Sequence, residues 1–256
     1  MAQVLLATTS FKEESFVDVL NIYEKLGWKD IDVNLHPFLF HSERESEFLA
    51  QLKKFNVGFA SGGWCDFFHV GEMWKKSEES VEKQVQACKK MGAKSLRLFF
   101  GRLHKEDYDQ KQLENVVSNI SYFGKKHPDL RFSFENHDGA SLDPKIVLEM
   151  IQHVDLPNVG MTLDPINYFK VSSDPHEAID LHGPKIFHVH VKGMTADKHY
   201  CEYGEGAFDY KSFLRHLKQV GYKGSFTVEY EGENNPVMRL FKSYNQFKKD
   251  LADLGL

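Results

Sequence analysis

Four short apolar runs in the second half of the chain each carry an ionisable residue at the C-terminal end: Glu135, Asp164, His190 and, in the last run, Glu229 or Glu231. Side chains alternate faces along a strand. In the runs 130–135, 158–164, 185–191 and 225–230, one face holds Phe132, Phe134, Val159, Met161, Leu163, Phe187, Val189, Val191, Phe226, Val228 and Tyr230. The other holds Ser133, Glu135, Gly160, Thr162, Asp164, His188, His190, Ser225, Thr227 and Glu229, with Lys192 next in step after His190. Adjacent strands lie about 4.8 Å apart, so carboxylates gathered at one end repel one another unless a cation compensates. Three carboxylates and one imidazole suit Mn²⁺, Mg²⁺ or Co²⁺, with Zn²⁺ as an alternative. Two remaining positions of an octahedron would fall to water or substrate.

These side chains meet only if their strands lie side by side. Four earlier runs, 4–10, 30–36, 57–61 and 95–100, also read as strands. A helical pattern follows each of the eight: 16–26, 45–55, 79–91, 112–126, 144–153, 174–181, 210–220 and 236–254. Gly92 and Gly221 stand just past helix ends, where glycine is a common stop. Pro144 opens a helix at a position proline tolerates. One unit takes about 32 residues, close to the span of a βαβ unit. The expected fold is α/β, a single (β/α)8 TIM barrel over 1–256, with the metal site at the C-terminal ends of strands 5–8. A doubly wound sheet would carry a glycine-rich phosphate turn after its first strand. Here Thr8, Thr9, Ser10 and Phe11 follow instead.

Composition narrows the function classes. The 256 residues carry 32 Lys+Arg against 37 Asp+Glu, a net charge of -5. That argues against a broad basic face for nucleic acid. Cys65, Cys88 and Cys201 are widely separated and form no disulfide framework, which points to a reducing compartment. The first residues do not read as a signal peptide. No apolar run approaches the ~20 residues of a membrane span. A cytoplasmic protein without nucleic-acid or membrane partners is expected.

The segments FENH (134–137), TLDPIN (162–167), HVHVKG (188–193), GEGAFDYKSFLRHLKQVGYKG (204–224) and FTVEYE (226–231) resemble the xylose isomerase-like barrels. These are sugar phosphate isomerases and epimerases, including ketose 3-epimerases, inosose dehydratases and hydroxypyruvate isomerases. The resemblance is strong over about residues 131–231 and rests on strand–helix rhythm before that. It implies that Glu135, Asp164, His190 and Glu229 hold one divalent metal ion. It also implies that Glu135 and Glu229 are the acid–base pair, and it favours Glu229 over Glu231. The implied function is a metal-dependent isomerase or epimerase of a sugar or sugar phosphate, moving a proton through an enediolate that the metal stabilises. A lyase of the inosose or dehydroshikimate dehydratase type on the same metal site is the alternative.

A further rival shares the barrel, the zinc-dependent AP endonucleases. Asp197, His199, Gly204, Glu205 and Gly206 resemble part of their pattern. Their three-metal site needs additional histidines, and this chain has Ser61, Gly62 and Gly63, Phe100 and Gly101, and Asn167 at those places. Relatives among the isomerases often read HxKD after the metal histidine, whereas Gly193 follows Lys192 here.

Substrate contacts are expected from several residues. Lys192 has inward parity and suits a hydroxyl, carboxylate or phosphate. Asn167 suits sugar hydroxyls. His137 follows Glu135 by two positions, and His188 lies one layer beneath His190. His36 ends the polar face of Asp32 and Asn34, Trp64 offers an aromatic wall, Arg102 an anion contact and Glu205 a hydrogen bond. Plainer readings stand beside these: a structural hydrogen bond for His188, loop or rim positions for the others. Homo-oligomers are common among such barrels, although no interface signature is visible.

Overall fold

The computed structural model describes residues 2–11, 15–63 and 65–256. Eight parallel strands close a barrel: β1 (Val4–Ala7), β2 (Asp30–Asn34), β3 (Asn56–Ser61), β4 (Ser95–Phe99), β5 (Arg131–Glu135), β6 (Val159–Leu163), β7 (Ile186–Val191) and β8 (Ser225–Val228). Each strand neighbours the next in sequence, and β1 pairs with β8 to complete the ring. The main helices are α1 (Phe16–Lys25), α2 (Glu45–Leu52), α3 (Gly71–Lys90), α4 (Gln110–Lys126), α5 (Pro144–Val154), α6 (Pro175–His182), α7 (Tyr210–Gln219) and α8 (Pro236–Leu254). This is a single-domain (β/α)8 barrel.

Local chemistry sets the helix starts. Asp109, Asp143, Asp174 and Asp209 each accept a backbone N–H from the first turn of α4, α5, α6 and α7. Such caps satisfy donors that a helix cannot pair internally. Pro144 and Pro175 occupy the first positions of α5 and α6, where no N–H is needed.

The alternation read from the sequence divides the barrel wall as expected. Outside, Phe134 packs edge-on against Phe67 with centroids 5.2 Å apart, and at 4.9 Å from Phe100. Inside, the Ser133 and Thr162 hydroxyls meet at 2.7 Å. His188 bridges Ser225 and Thr227, each 2.7 Å from a ring nitrogen. The lower barrel interior is therefore partly polar and internally satisfied.

Several boundaries differ from the sequence reading. Helix α3 begins at Gly71, eight residues before the amphipathic stretch that marks it. Strands β1 and β2 stop early, because a 3₁₀ turn takes Thr8–Ser10 and a short helix takes His36–Phe40. Asp164 is the N-cap of another short helix, Pro165–Lys170, rather than a strand residue. Glu229 lies just past β8, yet its N–H still donates to the Val191 carbonyl at 2.8 Å. Among the described residues no helix is long and apolar enough to cross a membrane.

Candidate functional site

His190 is the centre of a buried acidic cluster. It lies on β7, its ring 1% exposed. Its Nδ1 is 3.4 Å from Glu135 Oε1 and 3.6 Å from Glu229 Oε2. Its Nε2 faces Asp32 Oδ2 at 3.8 Å. Neither nitrogen makes an aligned hydrogen bond among the described residues. Burial alone would lower its pKa, but Glu229 and Glu135 outweigh that and raise it to about 9.

Glu135 ends β5. Arg97, pointing inward from β4, brings Nε to 3.1 Å of Glu135 Oε2, and its Nη1 donates to the Gly62 carbonyl at 2.9 Å. Asn167 Nδ2 donates to Glu135 Oε1 at 3.2 Å. Burial opposes ionisation, yet His190 and Arg97 hold this carboxyl well below the usual range.

Asp164 uses its two oxygens differently. Oδ1 accepts from the backbone of Ile166 at 2.8 Å and Asn167 at 3.1 Å, starting the short helix. Oδ2 faces Lys192 Nζ at 2.9 Å. Asn136 exchanges two 2.8 Å hydrogen bonds with the Asp164 backbone, which fixes the ends of β5 and β6 together. Burial, assisted by Glu135, raises the Asp164 pKa against the pull of Lys192.

Glu229 completes the group. Burial, with Glu231 and Glu135 adding repulsion, lifts its pKa to about 7 despite His190 and Lys192. The counter-charge is Lys192, 2% exposed, with Nζ 2.5 Å from Glu231 Oε1 and 3.9 Å from Glu229 Oε2. Its peptide is clamped from both sides by Tyr210, whose hydroxyl donates to the Lys192 carbonyl at 2.8 Å and accepts its N–H at 3.1 Å.

This donor set fits a divalent cation. Glu135, Asp164 and His190 each offer one ligand atom, all within 4.8 Å of one another. Five carboxylates (Asp32, Glu135, Asp164, Glu229, Glu231) gather around two permanent cations, Arg97 and Lys192. Neither ring nitrogen of His190 has an aligned hydrogen bond among the described residues, so once deprotonated the ring has one lone pair to give an ion, and oxygen-rich donors suit hard metals.

The other expected contacts scatter. Asn167 and Lys192 are in the cluster. His137 is half-buried beside it, its ring edge-to-face with Phe99 at 4.6 Å. His188 lies beneath His190, stacked on Phe59 at 3.8 Å, with both nitrogens taken by Ser225 and Thr227. That leaves it no nitrogen for a substrate, and burial holds its pKa well below the ordinary value. His36 is exposed and stacked on Phe40 at 4.2 Å, beside a recess of about 250 Å³ that it lines with Thr9 and Asn34. Arg102 is exposed in the loop after β4. Glu205 is exposed and lines an outer groove of about 1130 Å³ between α7 and α8 that contains no residue of the acidic cluster. Trp64 lies outside the described residues.

Sequence reasoning missed Arg97 and left Asp32 as one polar residue among three on β2. The signal for Arg97 was present: a lone charge between Leu96 and Leu98 in an apolar strand.

Comparisons with known proteins agree with this architecture. Residues 20–251 match the family described as xylose isomerase-like TIM barrel. A 3-dehydroshikimate dehydratase of Pseudomonas aeruginosa is 29% identical over 32% of this chain and 14% of that protein. The chain spans less than half the length of the first curated relatives it matches. A crystal structure of a D-tagatose 3-epimerase-like protein superposes with TM-score 0.80 at 18% identity, over 99% of this chain and 98% of that one. A Mycobacterium smegmatis barrel in complex with magnesium gives TM-score 0.80 at 16% identity, over 99% and 98%. At these identities the structural likeness speaks to the fold. The family match covers most of the chain, and the protein belongs to the xylose isomerase-like TIM barrel family.

Proposed function

We propose that this chain is a divalent-metal-dependent isomerase or epimerase of a small sugar or sugar derivative, which removes and returns a proton beside a carbonyl. The observation that carries the reading is the convergence of Glu135, Asp164 and His190 within ligating distance, with Glu229 alongside. These four residues would hold one ion, of the Mn²⁺, Mg²⁺ or Co²⁺ type or Zn²⁺. When bound, it would supply positive charge to stabilise an oxyanion developing on the substrate.

The chain's own residues divide the remaining work. Glu229 is the carboxylate that would take up and return the proton, and in the metal-free chain burial with Glu231 and Glu135 already raises its pKa. Glu135, which ends β5 with β6 and β7 between it and β8 around the ring, is the second carboxylate of the acid–base pair. Arg97 and Asn167 fix its orientation. Lys192 offers a donor to a substrate hydroxyl, Asn167 has its amide N–H groups taken by Glu135 and the Asn136 carbonyl, and His137 is placed at the edge of the same space. The buried walls exclude water from the proton being moved.

The test is solvent exchange. Metal-loaded protein is incubated with ketoses and cyclitols in D₂O, and the products are read by NMR and mass spectrometry. Deuterium at the carbon beside the carbonyl, abolished in Glu229→Gln, is the expected result. Loss of water from the substrate would assign a dehydratase instead. Turnover at near-normal rates in both Glu135→Gln and Glu229→Gln would overturn the reading.

A further inference from the structure

Asp32 is a buried carboxylate that the ligand set does not use. It lies on β2, across the barrel from β7, and is 1% exposed. Ser61 Oγ at 3.0 Å and Thr227 Oγ1 at 3.1 Å both donate to its Oδ2 and hold the carboxylate in place. Its Oδ1 has no donor among the described residues. Leaving a buried carboxylate part-satisfied is unfavourable, so the fold maintains it against a cost.

Asp32, His188 and His190 bring ligand atoms within 4.8 Å of one another. They do not make a second metal site, because both nitrogens of His188 are committed to Ser225 and Thr227. His190 is what remains. Its two nitrogens face opposite ways, Nε2 toward Asp32 at 3.8 Å and Nδ1 toward Glu135 at 3.4 Å and Glu229 at 3.6 Å. The Nε2 to Asp32 Oδ2 separation is longer than a hydrogen bond, so the contact would have to tighten when an ion is held at Nδ1. A ligating imidazole needs a lone pair on one nitrogen and carries its proton on the other.

We infer that Asp32 is a positioning residue: it accepts the Nε2–H of His190 and thereby presents the Nδ1 lone pair to the metal site. The inference rests on the metal-site reading above. Asp32 touches neither metal nor substrate. It acts through the tautomer and orientation of one ligand, and Ser61 and Thr227 keep its own carboxylate aimed.

The experiment compares the wild type with Asp32→Asn, which keeps the shape and removes the charge. Zinc is used as the probe because it is diamagnetic. Its affinity is measured by calorimetric titration of the full chain. The ring nitrogens of His190 are read by ¹⁵N NMR and assigned by their disappearance in His190→Asn. In the zinc-loaded wild type, Nδ1 should be metal-bound and Nε2 protonated. In Asp32→Asn, zinc should bind about 10- to 100-fold more weakly, the usual effect of losing a partner to a metal-ligating histidine, and the fixed Nε2–H pattern should be lost. A wild type with Nε2 on the zinc would overturn the inference, as would an Asp32→Asn protein with unchanged affinity and tautomer. The wild-type spectrum decides even if the variant does not fold. A flat titration for the wild type itself would overturn the metal-site reading, and the positioning role with it, and is recognised as that separate failure.

Discussion

Replacing Lys192 by Met should destabilise the metal-free protein strongly and make it unusually responsive to metal. The ammonium is 2% exposed and lies 2.9 Å from Asp164, 2.5 Å from Glu231 and 3.9 Å from Glu229. Methionine keeps most of the side-chain volume, so the change removes charge rather than packing. Removing one partner of a buried ion pair costs about 3–5 kcal/mol, because the remaining charge stays buried and uncompensated. For a chain of this length each kcal/mol moves Tm by roughly 2–4 °C, which gives a drop of about 6–20 °C. The assay is thermal unfolding in EDTA and in excess Mn²⁺, at pH 7 and pH 5. Metal binding stabilises the native state by mass action, about 2.7 kcal/mol at a hundredfold excess over Kd. In Lys192→Met the ion also replaces the missing counter-charge, so its Tm gain should exceed that of the wild type. The deficit in EDTA should shrink at pH 5, as the freed carboxylates take up protons. A metal-free variant within about 1 kcal/mol of the wild type would refute the reasoning, because carboxylates left buried without their counter-charge cost more than that. An equal metal response in both proteins would refute it as well.

A Cβ on Gly62 would come within 2.7 Å of the Arg97 carbonyl and 2.9 Å of Leu98 Cδ2. Gly62→Ala should therefore push β3 from β4, cost about 1–3 kcal/mol in chemical unfolding as overpacking does, and reduce turnover by shifting Arg97 away from Glu135. His182 is buried with Nε2 3.1 Å from the Pro144 carbonyl, and burial lowers its pKa from 6.5 to about 4. Between those pH values the unfolded chain binds a proton that the fold excludes. Stability is then unaffected by His182 above pH 6.5 and falls by up to about 3 kcal/mol as pH drops to 4. Urea unfolding across this range should show the slope, and His182→Gln should remove that share of it. Arg97→Lys should lower kcat, because an ammonium cannot contact Glu135 and the Gly62 carbonyl in the same planar arrangement. Steady-state rates matching the wild type would remove Arg97 from the account.

The parts of the fold that alternation governs were legible. Strands β5 to β8 show inward polar and outward apolar residues, and Glu135 and His190 fall where that rhythm puts them. Legibility fails where the ladder ends. Asp164 and Glu229 lie beyond the paired residues, and it is a helix cap and one extra backbone hydrogen bond that hold them in line. Asn167 sits one helical turn after Asp164, which brings its amide back onto Glu135. That turn, Pro165–Lys170, is too short for a periodic signal. In the first half, β2 and β4 each contribute one charge to the interior, Asp32 and Arg97, and neither has a partner nearby in sequence to announce it. Arg102 and Glu205 lie on loops and His36 opens a short helix, where strand parity says nothing about direction.

One divalent ion is proposed to be held by Glu135, Asp164, His190 and Glu229. The most direct test is to strip the chain of metal and titrate it with Mn²⁺ and, separately, Zn²⁺, reading stoichiometry by native mass spectrometry and affinity by calorimetry. The account predicts one tightly bound ion per chain, with binding lost in both Asp164→Asn and His190→Asn while each variant stays folded. No binding, binding that survives both substitutions, or two or three zinc ions per chain would contradict it.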